Sequence, residues 1–382
     1  MTTPLSREEF SVTRKYAYFN HAAVGVLPQS SRRALTQFVD DQAEGGVMGV
    51  FGYELKMPEY RERFGNFIGA QGDEIAFLRN TGDGASILAA GVRWEAGDEL
   101  LLCDNEFPSN ALPWLTVRER GVAVRFVETA NQRLTPDILR AQMTAKTKVV
   151  TVSWVSFNDG YRHDLASLAE VAHERGALFC VDAIQGLGAF PLDVRACNID
   201  ALYGSGAKWM LSLQGVGYFY LRASLLDRLQ LASPGWRSVA DMWDFLNYDQ
   251  PLRDDAGRFE GGTPNFIGAL SIASAVELLE RAGVQRIADH VLMLTDRLES
   301  GLRGLGARIA SLRGPGVSSG ILTFGCHGTD PIALGKRLQH EGIITTYRAN
   351  GIRISPHGYN TTDEVDHLLD VVKSALLTPA SP

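Results

Sequence analysis

Tyr203-Gly204-Ser205-Gly206-Ala207-Lys208-Trp209-Met210 is the stretch around which the 382-residue chain organises itself. A run from Ile199 to Tyr203 reads as a strand that leads through a small-residue turn to a lysine. The lysines are Lys15, Lys56, Lys146, Lys148, Lys208, Lys336 and Lys373, and only Lys208 follows such a run with Ala207 before it and Trp209, Met210 and Leu211 after it. Apolar surroundings disfavour the ammonium form and lower its pKa, which suits a nucleophilic amine directed at a carbonyl group. The alternative is a lysine that ends a strand with its head in solvent.

Val181-Asp182-Ala183-Ile184-Gln185 weighs against that alternative. It follows another apolar run, Ala177-Leu178-Phe179-Cys180. Two such runs in one open α/β sheet project Asp182 and Lys208 from the same carboxyl edge, where these sheets bind ligands. A carboxylate for a pyridinium nitrogen and a lysine for an aldehyde are the two groups that pyridoxal phosphate requires.

The rest of the chain reads as a frame for that pair. Hydrophobic residues make up 45% and charged residues 21%, as in ordinary soluble proteins, and the length allows two domains with sizeable cores. A formal net charge of −7, with basic residues scattered (Arg118, Arg120, Arg348, Arg353), argues against a nucleic-acid or anionic-membrane surface. Neither a signal segment nor a membrane-spanning run is legible, so a cytoplasmic protein is expected. Cys103, Cys180, Cys197 and Cys326 lack metal-ligand spacing and read as reduced thiols; no metal is expected.

From Tyr16 to Gly25 a short strand and turn carry Asn20 and His21, which line a substrate entrance or serve as plain turn residues; Pro28 then opens a helix. Ile75 to Leu78 is a strand breaking into Arg79-Asn80-Thr81-Gly82-Asp83-Gly84-Ala85-Ser86 before a helix from Ile87 to Val92. Small residues at a helix start let N–H groups approach a phosphate, although Asp83 would cap the helix equally well with no ligand. Strand and helix then alternate through Leu100 to Cys103, Val122 to Phe126, Val149 to Val155, the strand ending at Asp182, and Val216 to Leu221. That alternation predicts a mostly parallel sheet covered on both faces by helices. After Leu221 come loops, long helices from Phe266 and from about Arg286, and short strands near Gly320 and Gly351, which predict a smaller C-terminal α+β domain.

Together these residues resemble the class V aminotransferase family of pyridoxal-phosphate enzymes, fold type I, which includes cysteine desulfurases, cystine C–S lyases, isopenicillin N epimerase-like proteins and kynureninase. The resemblance runs from Tyr18-Phe19-Asn20-His21 to Tyr359-Asn360-Thr361. It implies a segment 1–17 packing near the small domain, a large domain over 18–258 and a small one over 259–382. By position it makes Lys208 the cofactor-bonding lysine, Asp182 the partner of the ring nitrogen and Gln185 a donor to the phenolic oxygen. Thr81, Gly82, Asp83 and Ser205 fall on phosphate-binding positions and Phe107 on the stacking ring. Thr263, in Gly262-Thr263-Pro264, would reach the phosphate of a neighbouring subunit, which implies a homodimer with composite sites. Arg353, in Gly351-Ile352-Arg353-Ile354-Ser355, would clamp the substrate carboxylate, with Asn20 and His21 near it.

Two departures matter. Ala207 stands where desulfurases carry a phosphate-binding histidine. The mobile loop that holds the desulfurase nucleophilic cysteine has no counterpart, since Tyr347-Arg348-Ala349-Asn350-Gly351 runs almost directly into Arg353 and no cysteine follows Cys326. The expectation is therefore chemistry at the α-carbon of an amino acid, foremost C–S lyase β-elimination without a catalytic cysteine. Transamination, epimerisation and an idle cofactor-binding scaffold are the alternatives. Trp114, Trp154, Trp236 and Arg237 are candidates for shaping the side-chain pocket.

Overall fold

The computed structural model describes residues 2–129, 133–348 and 351–377. Its strands are β1 (Ala17–Tyr18), β2 (Ile75–Leu78), β3 (Glu99–Cys103), β4 (Ala123–Val127), β5 (Thr147–Ser153), β6 (Leu178–Asp182), β7 (Ala201–Ser205), β8 (Gly217–Leu221), β9 (Arg308–Ile309), β10 (Leu322–Gly325), β11 (Ile343–Ile344), β12 (Thr346–Arg348) and β13 (Gly351–Ile354). The α-helices are α1 (Gln29–Gly45), α2 (Val47–Leu55), α3 (Met57–Phe67), α4 (Thr81–Gly91), α5 (Pro108–Leu115), α6 (Pro136–Gln142), α7 (Leu165–Glu174), α8 (Phe266–Ala282), α9 (Val284–Gly304), α10 (Pro331–His340) and α11 (Thr362–Leu377).

Seven strands form the main sheet in the order β2-β8-β7-β6-β5-β3-β4, parallel throughout except for β8, which runs against both neighbours. Alternate residues feed two cores, as the two-residue period of a strand requires. Val150, Val152, Phe179, Val181 and Leu202 face α3, α7 and α8, while Leu100, Leu102, Val149, Cys180 and Tyr203 face α4 and α5. Burial on both faces explains why these strands read as continuous apolar runs. A second sheet, β12-β13-β10-β9, is antiparallel and packs a third core from Leu294, Leu298, Phe324, Ile352, Ile354 and Leu368. Among the described residues no helix is long and apolar enough to cross a membrane.

Helix α8 packs on α1 and α3, and its Ile272, Val276 and Leu279 belong to the core of the main sheet. Helix α9 starts in that core with Ile287 and Val291 and finishes in the third core with Leu294, Leu298 and Leu302. The glycine-rich turn near 259 is a loop of the large body, and the changeover lies within α9. The segment before β1 is stitched to the far end of the chain: Leu5 N–H donates to Gly358 O (3.1 Å), Arg7 pairs with Glu364 (2.9 Å), and Phe10 stacks on Tyr359 at 4.0 Å. Helix α2 was not expected; none of its residues is buried, so it lacks the half-apolar pattern that marks a helix in sequence.

One buried ion pair ties three parts of the large body together. Arg61 of α3 forks onto Glu260 (3.1 and 2.6 Å), and Glu260 also accepts the Phe77 N–H of β2 at 2.8 Å. Removing one partner of such a pair strands a buried charge, at about 3–5 kcal/mol. Glu260→Ala is accordingly expected to lower unfolding stability by about that amount; urea denaturation of variant and parent measures it.

Candidate active site

Because β5, β6 and β7 are parallel, Ser153, Asp182 and Ser205 end at one edge of the sheet, and the turn beyond β7 returns Lys208 to it. Asp182 is 1% exposed and its Oδ1 accepts the Ile184 N–H at 2.9 Å. Burial pushes its carboxyl up to about 7; the Ile184 N–H opposes the shift, the Glu106 charge adds to it and the Lys208 charge opposes it. The acid and the lysine therefore sense each other directly. Lys208 Nζ stands 5.5 Å from the centre of the Phe107 ring, and Phe107 meets Phe157 edge-on at 5.1 Å.

The lysine turn is held from below. Leu211 adopts φ +54°, a left-handed conformation costly for a branched side chain, and its N–H donates to Lys208 O at 3.0 Å. Gly25 N–H donates to Ala207 O at 2.7 Å, and a Cβ at Gly25 would lie 2.0 Å from Lys208 O, so only glycine permits this approach. Gln185 Nε2 donates to Ala22 O (3.0 Å) while its Oε1 accepts the Trp209 indole (2.9 Å). One amide hydrogen remains for a ligand.

Below β2 the helix begins at Thr81, not at Ile87, because Asn80 caps it: Asn80 Oδ1 accepts the Asp83 N–H at 3.1 Å. Asp83 is thus neither the cap nor a free N–H donor, and its carboxylate forks with Arg79 (2.7 and 3.0 Å). The N–H groups of Thr81 and Gly82, first in the helix, have no intrahelical acceptor. Thr81 Oγ1 is buried without a hydrogen-bond partner. A buried hydroxyl lacking a partner beside two open N–H groups fits an anion. Ser205 does not fit that role: its hydroxyl donates to Val216 O at 3.1 Å. Thr263 is exposed and lines a surface cleft with Arg79 and Asp83.

Arg353 is buried on β13, where Nη1 donates to Phe157 O at 2.8 Å. Its register partner Thr346 donates to Asn20 Oδ1 at 2.6 Å, so Asn20 and Arg353 share one neighbourhood. His21 does not line an entrance. It is fully buried, with Nδ1 3.0 Å from Ser355 O and Nε2 2.9 Å from the Tyr359 hydroxyl. A carbonyl can only accept, so His21 carries its hydrogen on Nδ1. By the same logic His357 donates from Nε2 to Trp209 O (3.0 Å) and accepts the Gly358 N–H at Nδ1 (2.7 Å). Trp114 and Trp154 are core residues, Arg237 is paired with Glu54 (2.6 Å), and Trp236 lies at the surface beside Trp243. Of the stretch Tyr347–Gly351, residues 349–350 lie outside the described residues; Arg348 and Gly351 on either side are paired strand residues.

The set fits pyridoxal phosphate: an acid for the ring nitrogen, a lysine for the aldehyde, an aromatic face and an anion cradle. The model of the family Aminotransferase class-V matches residues 18–368. The chain belongs to the class V aminotransferase family. A protein named "Probable cysteine desulfurase" from Methanothermobacter thermautotrophicus is 30% identical to it, over 96% of each chain. The apo structure of cysteine desulfurase from Thermococcus onnurineus superposes with a TM-score of 0.90 at 26% identity, covering 98% of both chains. A complex of the cystine C–S lyase C-DES with cysteine persulfide shares the fold, with a TM-score of 0.88 at 23% identity over 95% of this chain and 99% of that one.

Three residues of this class V site escaped the sequence reading: Glu106, Phe157 and His357. For Glu106 a signal existed, an acid at a strand end directly before the stacking ring. His21, His163 and His357 are buried, and burial holds all three below the ordinary imidazole range, His163 and His357 at about 4. Below about pH 6.5 the unfolded chain takes up protons that these rings refuse, so their stabilisation is lost as pH falls toward about 4. His357→Gln keeps a donor for Trp209 O and removes one such ring. Between about pH 7 and about pH 5 it is expected to lose about 2 kcal/mol less than the parent, as measured by urea midpoints.

Proposed function

We propose that the chain is a pyridoxal-phosphate enzyme whose reaction is β-elimination from a sulfur-bearing amino acid of the cystine class. The observation that carries the cofactor is the meeting of Asp182, Lys208 and the Phe107 ring at one sheet edge. When bound, pyridoxal phosphate supplies a sink for the electron pair left at the substrate α-carbon. Asp182 holds the ring-nitrogen proton that makes the sink effective. Lys208 would bond the aldehyde and, when its amine is free, would serve as the general base for the α-proton. Elimination would break the Cβ–S bond, with the departing sulfur keeping that bond's electrons and taking up a proton, and would need no base besides Lys208. Thr81 and Gly82 hold the phosphate, Gln185 faces the phenolic oxygen, and Arg353 grips the substrate carboxylate.

Two observations favour elimination. With Arg348 and Gly351 paired across adjacent strands, only residues 349–350 stand where desulfurases carry a cysteine-bearing loop. Epimerisation requires a second proton donor opposite Lys208, and His21 and Tyr347, the residues considered for it, make other contacts. His21 has both ring nitrogens bonded, and the Tyr347 ring lies against Gly335, where an added Cβ would come within 2.3 Å of it. We further propose a homodimer with Thr263 serving the partner's site. Exposed Val47, Met48 and Leu55 on α2, with Trp243, Leu246 and Tyr248, support an apolar contact face. Free thiols at Cys103 and Cys180 support a cytoplasmic setting.

Incubation with cystine is expected to release pyruvate, while alanine plus a keto acid gives no turnover. Transfer of the amino group without pyruvate would replace the lyase reading with an aminotransferase. Lys208→Ala is expected to abolish pyruvate release while the protein retains noncovalent cofactor. Mixing Lys208→Ala with Thr263→Ala subunits should restore part of the activity if sites are composite, which an activity assay after subunit exchange detects.

A further inference from the structure

We propose that Glu106 is a positioning residue of this reaction: a second buried carboxylate that acts through Ser153 and Asp182 to keep the proton at the ring nitrogen. The inference rests on the reading of Asp182 as the group that meets that nitrogen. Ser153 and Asp182 are register partners across β5 and β6, and Trp154 N–H donates to Asp182 O at 2.8 Å. On the other side of Ser153 lies Glu106. Its Oε1 accepts the Ser153 N–H at 2.7 Å, and its Oε2 accepts Asn110 Nδ2 at 2.9 Å together with the Ser153 hydroxyl.

The orientation of that carboxylate is set from behind. Asn110 Oδ1 accepts from the Tyr203 hydroxyl (2.5 Å), the Thr151 hydroxyl (3.3 Å) and the Trp114 indole (3.4 Å), which leaves its NH₂ for Glu106. Tyr203 is in turn the register partner of Asp182 on β7. The two carboxylates therefore sit on one hydrogen-bonded frame across three strand ends. Burial raises the Glu106 carboxyl and its donors oppose that rise. The titratable groups that face the pair are Lys208, Cys103, Tyr203 and Tyr218. A negative charge at Glu106 strengthens the hold of Asp182 on a proton, and on an N–H⁺ bound against it.

The test is made first on the cofactor-free protein, by carboxyl NMR titration of ¹³C-labelled aspartate, with Asp182 identified by its loss in Asp182→Asn. Glu106→Gln is expected to lower the Asp182 midpoint by about one pH unit, and Glu106→Asp to preserve it. In the loaded enzyme, exchange of the substrate α-proton should slow about tenfold in Glu106→Gln with KM changed less than about twofold. A folded Glu106→Gln whose Asp182 midpoint is unmoved shows a packing role only and overturns the proposal. Wild type supplies a check that needs no variant at position 106: labelled Glu106 must titrate below Asp182, and a Glu106 still protonated at the Asp182 midpoint is equally fatal. Wild type that binds no pyridoxal phosphate would sink the cofactor reading while leaving the carboxyl titrations interpretable.

Discussion

A carboxylate driven to the dry end of a parallel strand is the constraint on which the rest of this structure depends. Asp182 receives one backbone N–H and the influence of the Lys208 charge, and these do not offset what burial takes from its ionised form. Its carboxyl sits near neutrality in consequence. A cationic group placed against it would supply the positive charge that burial calls for. Binding free energy is thereby coupled to the folded state, which alone presents the acid in this setting.

What keeps the acid and lysine in register comes from remote parts of the chain. Gln185 links to Ala22 and to the Trp209 indole; the Trp209 carbonyl is held by His357; Ser355 binds both the Ala22 N–H and His21. The loop of contacts closes through Tyr359, on which Phe10 stacks. The N-terminal turn is thus clamped between the lysine turn of the large body and the strand that carries Arg353. One network thus links the Lys208 turn to the strand that carries Arg353.

That division between local and remote explains what was legible in the sequence. Runs of apolar residues ending in Asp182 and Tyr203 are local patterns, and they placed the mostly parallel sheet correctly. The start of α4 was misplaced because Asn80, not Asp83, wins the cap, and both residue types cap well. His21 looked like an exposed turn residue because its partners, Ser355 and Tyr359, lie more than three hundred positions away. Glycine-rich composition near 259 marks a turn but not which core the following helix joins. Glu106 was passed over since an acid before a helix is ordinarily solvated, and only strand register reveals its link to Asp182.

The distribution of aromatic and ionisable groups around Lys208 also bears on the reaction. Phe107 and Phe157 present hydrocarbon near the amine, and His21 and Tyr347 are engaged away from it. A site with one base can remove the α-proton and can return it only from the side on which it left. Inversion would need a second proton donor on the opposite side, whereas elimination and amino-group transfer both lie within reach of Lys208. Between those two the leaving group decides: loss of a sulfur substituent from Cβ needs no second proton-transfer position on the cofactor and no acceptor substrate. Under the proposed reading, the hydrocarbon that Phe107 and Phe157 set beside Lys208 suits a polarisable sulfur better than a charged side chain.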